Sequence, residues 1–246
     1  MPMSQTPIEP SPATTRAAFL NGLGAAWRSI FAYVLVGNYI GIGALSYEFG
    51  FSLTWMILST LVIWAAPAQV ILISTLTTAT LLEVAIAVGL SSARFLPMVA
   101  ALVPLLKAAH TRQFQLLLPS HLTAISVWVE GMRMLPQVPR AERVPFYNGL
   151  GLGLLSAAVI GSVIGYALAA RLPPLLATTL LFFTPIAILM SSARNSTTLI
   201  DRLAFVLGLV IGPLLAAQKV KLDLMWTGLV AGTIAYAVHR LREKWR

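Results

Sequence analysis

VAIAVGLSSARFLPMVAALVPLL, residues 84–106, is the stretch that decides the fold. Ten uncharged residues precede Arg94 and twelve follow it. As a helix, a run of this length crosses a hydrocarbon core of about 30 Å. A cation at its centre costs roughly 2.5–3.5 kcal/mol even on a lenient insertion scale, so it faces a protein interior or a water path rather than lipid. Arg94 therefore marks the place in the chain where a polar site is expected.

The rest of the chain has the same character. It has 246 residues, of which 58% are hydrophobic and 10% charged, with a mean hydropathy of +0.83. A soluble domain carries about 25% charged residues. The fold class expected is therefore all-α, a polytopic transmembrane helical bundle in a lipid bilayer. The net charge of +9 does not indicate nucleic-acid binding. Its cations sit between apolar runs and at the C-terminus, not on one amphipathic face. There are no cysteines, which excludes disulfides, thiolate metal sites and cysteine nucleophiles. The start, Met1-Pro2-Met3-Ser4-Gln5-Thr6-Pro7, lacks the basic and apolar regions of a signal peptide.

Apolar runs of spanning length fall at 27–47, 53–78, 83–106, 114–132, 146–170, 174–193, 203–218 and 222–239. About eight spans are expected, or seven if 114–132, with Ser120, His121, Thr123, Ser126 and Glu130, does not cross. Residues 1–25 read as a flexible cytoplasmic tail, 26–240 as the transmembrane domain and 241–246 as a basic cytoplasmic tail. With eight spans, eleven Lys and Arg residues fall on the side of the termini, Arg140 and Arg143 among them. Five, including Lys107 and Arg112, fall on the other. That bias places both termini in the cytoplasm.

Small residues at spacing four mark helix contacts in lipid. The longest stripe is Gly149, Gly153, Ala157, Gly161, Gly165 and Ala169. It packs either within the chain or against a partner helix. Shorter pairs are Gly37/Gly41, Gly208/Gly212 and Gly228/Gly232. Leu61-Val62-Ile63-Trp64-Ala65-Ala66-Pro67 resembles Thr179-Leu180-Leu181-Phe182-Phe183-Thr184-Pro185. This suggests two halves, each with a proline-broken helix at Pro67 or Pro185. Paired interruptions of this kind point to a midplane site.

At Pro67 the helix loses a backbone hydrogen bond, and the freed carbonyl must face protein, water or ligand. Gln69 follows with a donor and an acceptor. A broken helix offers an amide end for a carboxylate and a carbonyl end for an ammonium, which suits a zwitterion. Arg94 would clamp a carboxylate in two-pronged fashion, or else pair with an acid such as Glu83, Glu48 or Glu130. Glu130 has a nearer partner in Arg133, one helical turn away. The histidines His110, His121 and His239 are scattered, with no metal-ligand spacing and no phosphate-binding loop. Neither an enzyme nor a metal or cofactor site is expected.

The chain resembles the AzlC-like branched-chain amino acid permeases, the larger subunit of a two-component exporter of the azaleucine-resistance type. The resemblance rests on Gly41-Ile42-Gly43-Ala44-Leu45 with Glu48-Phe49-Gly50-Phe51-Ser52, on Ala66-Pro67-Ala68-Gln69 and on the Arg94 helix. Two departures stand out. Ser92-Ala93-Arg94-Phe95 keeps the arginine of an Asn-x-Arg-His pattern but neither polar neighbour. Thr123-Ala124-Ile125 stands where the family has Thr-Asp-Glu, so both acids are absent.

The resemblance implies export of valine, leucine or methionine across the inner (cytoplasmic) membrane, together with a small AzlD-like membrane subunit. Substrate would meet Gly41, Pro67, Gln69 and Arg94, and no cofactor is implied. The competing expectation, raised by the missing acids, is a non-transporting subunit that stabilises a partner.

Overall fold

The computed structural model describes residues 12–77, 79–108, 111–171, 186, 189–190, 193, 196, 198–218 and 223–244. Among these residues all regular structure is helical. The organising element is α9 (Arg143–Ala169), 27 residues and so about 40 Å long. Two helices lie along it, α1 (Pro12–Arg28) and α2 (Ile30–Glu48), separated only by Ser29, whose hydroxyl caps α2 by accepting from the Phe31 amide.

The contact is backbone on backbone. A Cβ on Gly153 would sit 2.5 Å from the Ala26 methyl, and one on Gly161 would sit 2.5 Å from the Val36 carbonyl oxygen. One on Gly149 would overlap the Phe19 carbonyl, and one on Gly165 the Ile40 carbonyl. Gly22 and Gly43 return the contact against Phe146 and Ser162. Partners rise together along both chains, so α1–α2 runs parallel to α9. The small-residue stripe is thus filled by the same polypeptide and is not left open for a partner helix. Close approach of this kind supplies the packing that apolar burial does not supply in lipid.

Four further helices complete the body: α3 (Leu53–Ile63), α4 (Ala66–Thr75), α5 (Leu81–Ser92) and α6 (Phe95–Leu106). Gly50, at φ 75°, makes the turn out of α2 that only glycine takes without strain. Two short helices follow, α7 (Leu117–His121) and α8 (Ile125–Met134), leading through 3-10 turns into α9. Beyond it lie α10 (Leu199–Ala217) and α11 (Asp223–Lys244), which pack on each other with Gly212 facing Thr227. None of the apolar span of α10 is buried within the chain.

About eight spans are not found among the described residues, and most of the span expected at 174–193 lies outside them. Among the described residues three helices are long and apolar enough to cross, Ile30–Glu48, Arg140–Ala169 and Leu199–Ala217. Leu81–Ser92 and Phe95–Leu106, bent by 45°, make a fourth if counted as one span. The stretches 53–78 and 114–132 fail because each is broken into pieces of at most 11 residues. No two-half repeat emerges from the described elements, and Pro185 lies outside them. Of the tail expected over 1–25, residues 1–11 lie outside the described ones, and from Pro12 onward the chain is the helix α1, with Ala18 and Gly22 buried.

Candidate functional site

The break expected at Pro67 is present, but it lies just before the proline. Ile63 ends α3, and Trp64 takes up a left-handed backbone, φ 40° and ψ 40°, that a bulky side chain rarely adopts. Such a conformation persists only where its surroundings hold it. Ala65 is the N-cap of α4, without a side-chain hydrogen bond, and Pro67 sits in the first turn. There its missing N–H costs nothing, so it starts a helix instead of kinking one.

Gln69 shows that the chain folds back. Its Nε2 donates to Ser59 Oγ at 2.9 Å and to Thr60 Oγ1 at 2.7 Å. In a continuous helix, residues nine or ten apart would be about 14 Å apart along the axis, beyond the reach of these side chains. Helices α3 and α4 are therefore the arms of a hairpin with Trp64 and Ala65 at its tip. Both hydroxyls donate onward to Met56 O. Gln69 is fully buried, and its Oε1 has no partner.

A second hairpin faces the first. Helices α7 and α8, 5 and 10 residues long, are joined by the turn Leu122-Thr123-Ala124. Its tip rests on α9, where Leu122 Cβ would meet a Cβ on Gly151 at 2.8 Å and Thr123 Oγ1 lies 3.2 Å from Tyr147 Oη. The returning arm packs Gly131 against the Tyr147 ring. Beyond it, Arg143 Nε donates to Val138 O and Arg143 Nη1 to Leu105 O, each at 2.9 Å. The hairpin thus leaves at the end of the bundle where α9 begins and α6 finishes. The α3–α4 hairpin starts from the opposite end, where Tyr166 Oη donates to Phe51 O at 2.9 Å.

The tips satisfy each other's freed backbone. Trp64 Nε1 donates to Leu122 O at 2.9 Å, and His121 Nε2, 2.9 Å from Leu61 O, carries the proton that this carbonyl accepts. Tyr39 of α2 stacks on Trp64 with ring centroids 6.4 Å apart. Gly41, on the same helix, is buried, and α4 packs against that helix. In a bilayer, irregular backbone at depth is tolerated only when buried in protein or lining a polar path. The paired tips meet that condition.

Arg94 stands apart from this cluster. It lies in the bend between α5 and α6, is exposed, and has its guanidinium carbon 5.2 Å from the Phe95 ring centroid. The 12 residues of α6 place it about 18 Å along the helix from the Arg143 end. None of the acids considered for it forms an ion pair with it among the described residues. Glu83 closes the capping box of α5 with Thr80, and Glu48 is exposed at the end of α2. Glu130, 5% exposed, accepts from Ser29 Oγ at 2.5 Å and from Arg133 at 2.7–2.8 Å.

Glu130 thereby ties the α1–α2 junction to α8. Glu130→Ala is expected to lower stability by about 1–3 kcal/mol, because it strands a buried hydroxyl. Arg133→Ala should cost less than about 1 kcal/mol, since that side chain is 63% exposed. Thermal unfolding of the two variants in detergent checks the order.

Lys107 and Arg112, expected opposite Arg140 and Arg143, are at the same end. Ala108 and Thr111 border one cavity with Thr15, Ala141 and Val144. The reason is the α7–α8 hairpin, which returns where a span would have crossed. Sequence reasoning missed Ser59, Thr60, Trp64, Leu122 and Tyr147. The hydroxyl pair just before an Ala-Pro break was the signal available.

Long apolar helices around two opposed hairpins define a multi-pass membrane protein whose centre is built from broken helices. The chain belongs to the AzlC family, one associated with membrane transport: the family model described as AzlC protein matches residues 29–172, more than half of its length. No curated protein and no solved structure matches it.

Proposed function

We propose that this chain is a secondary transporter exporting branched-chain or other small neutral amino acids, valine and leucine foremost, across the inner membrane. The observation that carries the proposal is the unpartnered, fully buried Gln69 Oε1 beside a tip where two hairpins meet. A buried acceptor without a donor is costly unless a ligand supplies one, and an ammonium does. The uncapped amide end of α4 at Ala65 suits the carboxylate. Gly41 and Pro67 flank the same hairpin. Alternating access would part the tips from one end of the bundle and then from the other.

Transport, not catalysis, suits a centre whose polar groups are amides, hydroxyls, an indole N–H and an imidazole whose Nε2 is held by a backbone carbonyl. A small AzlD-like subunit is the proposed partner. With the α9 stripe already filled, the exposed bend carrying Arg94 is the face it would cover, bringing a polar or acidic group to the guanidinium. The end carrying Arg140, Arg143, Lys107 and Arg112 would be cytoplasmic.

Labelled leucine and valine flux in proteoliposomes, with the chain alone and with its partner, tests the proposal. Flux in neither case would favour a stabilising subunit, as the absence of an acid from Thr123-Ala124-Ile125 suggests. Trp64→Phe removes the donor to Leu122 O while keeping a ring. It should leave folding intact and lower flux several-fold, about the effect of one buried hydrogen bond.

A further inference from the structure

The cavity bordered by Ala108 and Thr111 lies apart from the hairpin tips, at the end of the bundle where α1 and α9 begin. It has a volume of about 550 Å³ and opens to the surface. Its walls come from α1 (Thr15), the connection after α6 (Thr111), the outer arm of the α7–α8 hairpin (Phe114, Gln115, Leu118) and α9 (Asn148). Among the described residues no charged side chain lines it. Asn148 Oδ1 is buried and has no hydrogen-bond partner, so an N–H from the cavity reaches it once the Asn148 side chain turns outward.

Two other polar groups in the wall still have protons to offer. Gln115 Oε1 accepts from the Arg112 amide at 3.0 Å, which leaves its Nε2 as a donor. Thr111 Oγ1 accepts from the Ala108 amide at 2.9 Å, which leaves its hydroxyl proton. The cavity thus offers one buried acceptor in need of an N–H, donors for an anionic or carbonyl oxygen, and an aliphatic and aromatic wall. Without fixed charge, it disfavours a molecule of net charge. The matching chemistry is a small neutral zwitterion with an apolar side chain.

We propose that this cavity is a second binding station, an outer vestibule that takes up a neutral amino acid before the α7–α8 hairpin admits it to the tips. The proposal rests on the amino-acid transport reading above. Asn148 receives the ammonium, while Gln115 and Thr111 hold the carboxylate. Because the outer arm of the hairpin is one wall of the cavity, occupancy bears directly on the element that must move.

The absence of native cysteine makes the test direct, since Ala141→Cys introduces a single thiol in the cavity wall and leaves Asn148, Gln115 and Thr111 in place. A membrane-impermeant, uncharged hydrophilic thiosulfonate is applied to sealed vesicles from either face. Labelling is expected only from the face carrying Arg140 and Arg143. Saturating L-valine should slow it roughly tenfold, as expected for a site occupied at ten times its dissociation constant. L-Glutamate should not slow it. Asn148→Leu should raise the half-saturating valine concentration about tenfold, with maximal flux preserved.

Labelling indifferent to valine would overturn the vestibule, even with wild-type transport intact. Unchanged half-saturation in a folded Asn148→Leu protein would do the same. Protection requires binding but no flux. A wild-type chain that moves no amino acid, with its Ala141→Cys variant still protected by valine, would therefore sink the transport reading and leave the cavity standing.

Discussion

Gly165→Val is expected to abolish assembly of the bundle, and Gly165→Ala to impair it severely. A Cβ there would lie 2.6 Å from the Ile40 carbonyl carbon and closer still to its oxygen, and backbone cannot swing aside as a side-chain end can. Relief would require α2 and α9 to separate along their shared length. That undoes the contact on which the other helices are stacked, and a loss above about 4 kcal/mol is expected. Gly149→Ala, against the Phe19 carbonyl, should behave likewise.

The control comes from glycines that look equivalent in sequence. Gly37, Gly208 and Gly228 have nothing within 4 Å of a built Cβ. Alanine at those positions should leave yield and monodispersity in detergent unchanged. If Gly165→Val purified as well as Gly37→Ala, the parallel packing of α1–α2 on α9 would be untenable.

The second large effect is expected at Arg94. With no carboxylate beside it among the described residues, its removal breaks no internal ion pair. Arg94→Leu should therefore keep or raise the stability of the isolated chain, since a cation within an apolar run is costly in lipid. Export should nevertheless fall by about 100-fold or more, because two charge-assisted hydrogen bonds, to substrate carboxylate or to the partner subunit, are lost together. Cells loaded with a valine dipeptide provide the efflux measurement. Co-purification of the partner separates the two roles: efflux lost with the partner retained indicates a substrate clamp, and both lost together indicates a docking residue. Efflux unchanged in Arg94→Leu would remove this side chain from any account of function.

Some features were legible because they depend on local composition. Residues 84–106 are apolar over a length that only a bilayer explains, and their cation falls at the bend between α5 and α6. Ala65, Pro67 and Gln69 announced a break, and the structure has one, displaced by two residues because proline is better placed inside a helix start than in its middle. The pairing of Glu130 with Arg133 followed from one-turn spacing. The buried Ser29 hydroxyl on the same carboxylate could not be foreseen, since it comes from 101 residues away.

What the sequence determined by itself is that this chain lives in a membrane as helices and carries its polar groups at a few interruptions. Hydropathy is a sum over neighbours and has the same value whether a segment crosses the bilayer or turns back. Tertiary structure alone decided that 53–78 and 114–132 turn back. The bonds responsible, Gln69 to Ser59 and Thr60, His121 to Leu61, and Trp64 to Leu122, join groups that no helical period relates. It also decided that the glycine stripe of α9 holds α1 and α2, because small-residue spacing records how closely a helix can approach, not which helix arrives.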